Sequence, residues 1–140
     1  MQTQILQPEQ AMIYAMITMS AVDSTMSDVE LRRIGTMVRE LPPFRDFDEE
    51  QLIVEAKGCQ KVVSAPDGLV RVLDLIEASL PDHLRETAYV LAAEVAVSDH
   101  KLRPEERRFL DLLAGRLGIG RLVAAALERG AQARHRKIAG

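Results

Sequence analysis

Two ten-residue stretches repeat one another along this chain. The first is Ala21-Val22-Asp23-Ser24-Thr25-Met26-Ser27-Asp28-Val29-Glu30, and the second is Val97-Ser98-Asp99-His100-Lys101-Leu102-Arg103-Pro104-Glu105-Glu106. Laid over one another, they place Asp23 on Asp99, Met26 on Leu102 and Glu30 on Glu106. Each stretch follows a strongly apolar run and precedes a charged amphipathic one. Each therefore reads as helix, tight turn, helix, with an Asp closing the first helix and a Glu in the first turn of the second.

The rest of the chain agrees with helices. Residues 8–22 form a helix that starts at Pro8 and Glu9, because Pro is tolerated in a first turn and an acid is favoured there. Met12, Ile13, Met16, Ile17, Met19 and Val22 surround it, and a helix apolar nearly all round is a buried one. Ser27-Asp28-Val29-Glu30 is a capping box opening a second helix to Leu41. Its inward residues are expected to be Val29, Ile34, Met37, Val38 and Leu41, and Pro42-Pro43 stops it. Phe44 and Phe47 plug the edge of the core. Asp48 opens a third helix, with Leu52, Ile53, Ala56, Cys59, Val62 and Val63 at helical spacing. Ser64–Asp67 restarts the chain into a fourth, with Leu69, Val70, Val72, Leu73, Ile76 and Leu80 inward, broken at Pro81.

The fifth helix, 82–97, repeats the apolar character of the first, except for Glu94. The sixth runs from Pro104 to Leu117 with Gly118 as its C-terminal cap. The seventh runs from Gly120 to about Leu127. No segment alternates over strand length. The expected fold is all-α, a compact single-domain bundle of six or seven helices with an internal helix-turn-helix duplication. The expected divisions are a helical domain over 1–130 and a basic, partly frayed tail over 131–140.

A chain of 140 residues can bury a core unaided. With no Trp and 4% aromatic residues, that core is aliphatic, which suits helix-on-helix packing. The single Cys59 has no intrachain partner, which points to a reducing compartment. The run 11–22 lacks the basic n-region of a signal peptide and is too short to span a bilayer, so the expected location is cytoplasmic. The net charge is −3, but residues 1–100 carry 17 acids against 8 bases, while residues 101–140 carry 10 bases against 4 acids. One acidic and one basic surface follow. The basic one suits phosphates, lipid headgroups or an acidic protein.

An Asp at a helix C-terminus is unfavourable by roughly 0.3–1 kcal/mol. Its recurrence in both copies asks for compensation. One answer is an Asx-type turn beside a capping box. The other is a cation: Asp23, Glu30, Asp99 and Glu106 are hard oxygen donors of the kind that hold Ca²⁺ or Mg²⁺. Glu30 is accounted for by capping with Ser27. Glu106 is less so, because the Arg103 side chain cannot accept as Ser27 does. Neither copy has the Asp ladder and central Gly of an EF-hand loop. The second copy, with Asp99, His100, Glu106 and nearby Glu94, holds more acids than capping requires.

This pattern resembles the TerB-like tellurite-resistance family over about residues 8–130. The carriers are a helix ending before Asp, a short turn with Met26 or Leu102, and a Glu opening an amphipathic helix, given twice. Ser24 and His100 stand where the family usually has Gly after the Asp. The resemblance implies a compact bundle of duplicated helix pairs, acids around the two turns and a link to divalent cations. It also implies action with other stress-response proteins at the bacterial inner-membrane surface. Asp23 with Glu30 and Asp99 with Glu106 are the matching positions.

Other chemistry is weaker. Met12, Met16 and Met19 are core-filling residues before they are soft-metal ligands. Cys59 is a buried inert thiol before it is a reactive one. His100 is a turn residue beside Asp99, while His83 and His135 lack an evident acid-base partner. A buried Glu94 needs a partner, expected from the sixth helix or from the Asp99 cluster. A DNA-reading helix-turn-helix needs bases where this chain has Asp28, Glu30, Glu105 and Glu106, so no specific nucleic acid is expected. No phosphate loop or nucleophile constellation suggests an enzyme; a metal-dependent hydrolase is a third, weaker reading. The sequence leaves two main readings open. One is a non-enzymatic binding and sensing module with a divalent-cation site at the paired turns. The other is a protein-interaction domain whose acids serve only turns and caps.

Overall fold

The computed structural model describes residues 5–22, 26–97 and 102–139. Among them are seven α-helices and no strand: α1 (Pro8–Ala21), α2 (Asp28–Glu40), α3 (Leu52–Val63), α4 (Gly68–Ser79), α5 (Arg85–Val97), α6 (Pro104–Arg116) and α7 (Arg121–Arg134). Single 3-10 turns at Pro42–Phe44, Glu49–Gln51 and Asp82–Leu84 lead between them. The bundle is all-helical, as the periodicity predicts.

α1 is the axis. Every residue from Ala11 to Ser20 is buried, and the helix packs on α5, α3, α4 and α2. α5 is its counterpart, with Ala88, Tyr89 and Leu91–Ala96 buried. Fully burying an aliphatic side chain contributes about 1.5–3 kcal/mol, so these two apolar helices carry much of the fold. Met12, Met16 and Met19 lie in that core. Phe44 closes its edge and meets Phe47 edge-on, with ring centroids 6.4 Å apart.

The surrounding helices bury one stripe each. Ile34 and Val38 anchor α2, Val72, Leu73 and Ile76 anchor α4, and Phe109, Leu110 and Leu113 anchor α6. Val29, Ile53 and Val70, expected inside, are instead more than half exposed. These outer helices are covered on one side only, so the flanks of a broad apolar stripe stay in water.

Helix ends follow from sequence chemistry. Gly118, at φ 69°, ends α6. The Gly118 N–H donates to the Gly115 carbonyl and the Ile119 N–H to the Ala114 carbonyl, a Schellman cap. Gly68 opens α4 because a Cβ there would lie 2.1 Å from the Val63 carbonyl oxygen. α7 continues to Arg134, past the expected end near Leu127, and Ala131 is buried in it. The residues that hold this last segment down belong to the candidate site.

The duplication is larger than the turn motif. The shift that lays Asp23 on Asp99 also lays the bounds of α2 on those of α6, and α1 on α5. α3 then overlaps α7, leaving α4 as the connection between two three-helix units.

Candidate functional site

Asp23, Asp99 and His100 lie outside the described residues. The second acid of each copy, Glu30 and Glu106, is described, and each sits in the first turn of its helix. The two are fixed in different ways.

In the first copy, Ser27 caps α2: its Oγ accepts from the Glu30 N–H at 3.2 Å. The Glu30 carboxylate was expected to reach back to the backbone. It accepts instead from two hydroxyls, Ser27 Oγ at 3.1 Å and Ser20 Oγ from the last turn of α1. Glu30 thereby ties the end of α1 to the start of α2.

In the second copy the reciprocal half of the box forms. The Arg103 N–H donates to Glu106 Oε1 at 2.8 Å. This corrects the expectation that Glu106 exceeds what capping needs. The bond uses only the backbone of residue 103, so an Arg there is no obstacle. Glu106 is also buried, at 4% exposure. A buried carboxylate is costly unless hydrogen-bonded, and the cap bond meets part of that need.

Glu94 is the other buried carboxylate, 5% exposed in α5. Among the described residues its partners are Arg134, which ends α7, and His135 just beyond it, and not a base of α6; the alternative partner, the Asp99 cluster, lies outside the described residues. Arg134 Nε and His135 Nε2 each lie 3.3 Å from Glu94 Oε1. His135, for which the sequence shows no partner, is thus an anchor for the last helix. The three residues floor a cleft of about 250 Å³ whose far wall is α2, with Met37 and Leu41 apolar and Arg33 and Glu40 charged. The sequence singles out Glu94 but not its partners: the repeat lays Thr18 on Glu94 and Cys59 on His135, but the contact that links each pair, such as Thr18 Oγ1 to Cys59 Sγ at 3.3 Å, appears only in the fold.

Cys59 itself is buried, and its Sγ also lies 3.6 Å from the Tyr14 carbonyl, within reach to donate. Burial pushes the thiol up to about 12, with the Thr18 contact opposing it. That is inert rather than redox chemistry. Among the described residues, no group of three or more His, Cys, Asp or Glu side chains is placed to hold a metal ion. The four-carboxylate arrangement depends on Asp23 and Asp99, so that observation does not bear on it.

The helix pairs are thus duplicated, each with a Glu in the first turn of its second helix. A family model described as "Tellurite resistance protein TerB" matches residues 9–129. The chain belongs to the TerB family. The match spans both copies of the turn motif and ends inside α7. No curated protein and no solved structure matches the chain. In this TerB-family chain no helix among the described residues is long and apolar enough to cross a membrane.

Proposed function

We propose that this TerB-family protein is a non-enzymatic binding and sensing module of a cytoplasmic tellurite-resistance-like stress response. It acts through other stress-response proteins and carries a weak divalent-cation site at Asp23, Glu30, Asp99 and Glu106. One observation carries the reading. Glu30 and Glu106 occupy equivalent positions in the two units, and each carboxylate accepts a hydrogen bond from the residue three places before it. Carboxylates that ligate metals are oriented by such second contacts. With an Asp seven residues before each of them in the sequence, the repeat offers four hard oxygen donors of the type suited to Ca²⁺ or Mg²⁺.

A second reading is favoured by the same bonds. Ser27 with Glu30, and Arg103 with Glu106, are capping contacts that need no ion. On this reading the protein docks partners through its acidic and basic faces, and the acids serve turns and caps alone.

Calcium and magnesium titrations followed by NMR and calorimetry separate the two. The cation reading expects saturable shifts at residues flanking both turns, lost in Asp23→Asn with Asp99→Asn. If neither ion perturbs the turns, and the double variant is as stable as the parent with the ions present, the second reading stands and the cation site is rejected.

A further inference from the structure

Glu94 is only half used by the fold. Its side chain is more than nine-tenths buried, yet both of its contacts, from Arg134 Nε and His135 Nε2, fall on Oε1. Oε2 makes no hydrogen bond or ion pair among the described residues. The enclosed side-chain polar atoms that lack a partner among those residues are Arg85 Nε and Arg107 Nε. Oε2 is not one of them, so it opens on the cleft that Glu94 lines. Arg134 is half used in the same way. It holds Glu94 through Nε, its side chain is largely exposed, and its two terminal nitrogens make no hydrogen bond or ion pair among the described residues.

The repeat supplies an internal comparison. Thr18 and Cys59, both fully buried, fill the equivalent place in the first unit with a neutral contact. Packing at this place does not call for a carboxylate, and a buried one is costly unless it is satisfied. The cleft beside Glu94 holds about 250 Å³, enough for a molecule of amino-acid size and too little for a peptide helix or a nucleotide. Met37 and Leu41 give it an aliphatic wall. Its rim adds one charge of each sign, Glu40 and Arg33, the latter already with a partner. The surrounding charges are therefore mixed, Glu94 and Glu40 against Arg33 and Arg134, with His135 beside them. A ligand of one sign meets like charge there, whereas a zwitterion can set each end against its opposite.

We propose that this cleft binds a free aliphatic α-amino acid. Its ammonium donates to Glu94 Oε2, its carboxylate accepts from the terminal nitrogens of Arg134, and its side chain lies on Met37 and Leu41. One carbon separates the two charged ends of an α-amino acid, so they can lie head to tail across a neighbouring acid–base pair. An apolar wall with a few convergent polar groups is how small-ligand sites are built. The ligand would bridge α2, α5 and the end of α7. None of the four turn acids takes part, so this inference stands or falls apart from the cation site.

The test is an NMR titration of the full chain in EDTA with L-leucine, up to about 10 mM. Saturable shifts are expected at Met37, Leu41, Glu94 and Arg134. N-acetyl-L-leucine, which lacks the ammonium, and L-leucinamide, which lacks the carboxylate, are each expected to bind at least about tenfold more weakly. Two variants assign the ends. Glu94→Gln should erase the preference for leucine over N-acetyl-leucine, and Arg134→Gln the preference over leucinamide. The absence of a saturable shift with leucine overturns the proposal. So do shifts confined to other parts of the fold, or equal binding of either analogue by the parent. The three titrations of the parent decide the matter even where a variant fails to fold.

Discussion

His135 Nε2 lies 3.3 Å from Glu94 Oε1, and the internal repeat carries this contact onto Cys59 and Thr18, also 3.3 Å apart. A buried position on the first helix of each unit meets a polar side chain on or just beyond the third. One unit fills this geometry with a neutral hydroxyl–thiol pair, the other with a carboxylate between an imidazole and a guanidinium. The neutral pair needs no solvent. The ionic one must keep its bases at the edge of the bundle, and the Arg134 side chain is 67% exposed. The second unit is thus the polar version of the first.

Arg134→Ala with His135→Ala is expected to strand the Glu94 carboxylate. Because Arg134 is largely in water, the cost should be about 1–3 kcal/mol, below that of a fully buried pair. Adding Glu94→Gln to this background should recover part of the loss by removing the uncompensated charge. Urea unfolding of the three proteins checks both steps. Equal stability of the double variant and the parent would show that Glu94 does not depend on α7.

Cys59 should resist alkylation in the native protein at pH 8 and react on unfolding. Its thiol ionises near 12 when folded, against an ordinary 9.0. Between those values the unfolded chain loses a proton that the folded chain keeps, so stability falls as pH rises, by at most about 1.4 kcal/mol per pH unit from this group. Burial also raises Tyr14 and Tyr89, which adds to the alkaline loss. Cys59→Ala should flatten the slope of stability against pH above 9, measured by denaturant unfolding, whatever it does to stability at neutral pH.

The helices were legible because periodicity and punctuation agreed along the chain. Pro8, Pro42-Pro43, Pro81, Pro104 and Gly118 stand at or beside helix ends. Membership of the family was legible in the repeat. The direction of the capping bonds was not, because Glu30 has Ser20 within reach as well as Ser27, and only packing decides which donor it takes. The extent of α7 was hidden by its composition: after Leu127 it holds Gly130 and the two bases Arg129 and Arg134, and what keeps it helical is burial of Ala131 and the contact with Glu94. Val29 and Ile53 misled because a helical period identifies an apolar stripe but not how far a neighbour covers it.

Three glycines should respond differently to alanine. Gly68→Ala forces a Cβ to within 2.1 Å of the Val63 carbonyl oxygen, so α3 and α4 must separate, at an expected cost above about 2 kcal/mol. Gly118→Ala meets no atom within 4 Å but must adopt φ 69°, costing about 1–2 kcal/mol. Gly130→Ala, inside α7 with nothing within 4 Å, should stabilise by about 0.4–1 kcal/mol. Thermal unfolding should rank them Gly130→Ala, parent, Gly118→Ala, Gly68→Ala from most to least stable.

The ion pair between α6 and α7 should matter far more than its surface counterparts. Arg107 grips Glu128 with two parallel bonds, Nη1 to Oε1 at 2.6 Å and Nη2 to Oε2 at 2.8 Å, and the Glu128 side chain is only 15% exposed. Arg71 meets Asp67 at 3.3 Å with both side chains largely exposed. Arg107→Met leaves a carboxylate partly out of water with its cation gone, and is expected to cost about 2–3 kcal/mol. Arg71→Met should cost less than about 0.5 kcal/mol. Arg107→Lys should fall between, since an ammonium cannot reproduce the two-bond fork. Double-mutant cycles with Glu128→Gln and Asp67→Asn, followed by urea unfolding, would measure the couplings. A coupling at Arg107–Glu128 no larger than at Arg71–Asp67 would mean that α7 is held by its apolar contacts and by Glu94 alone.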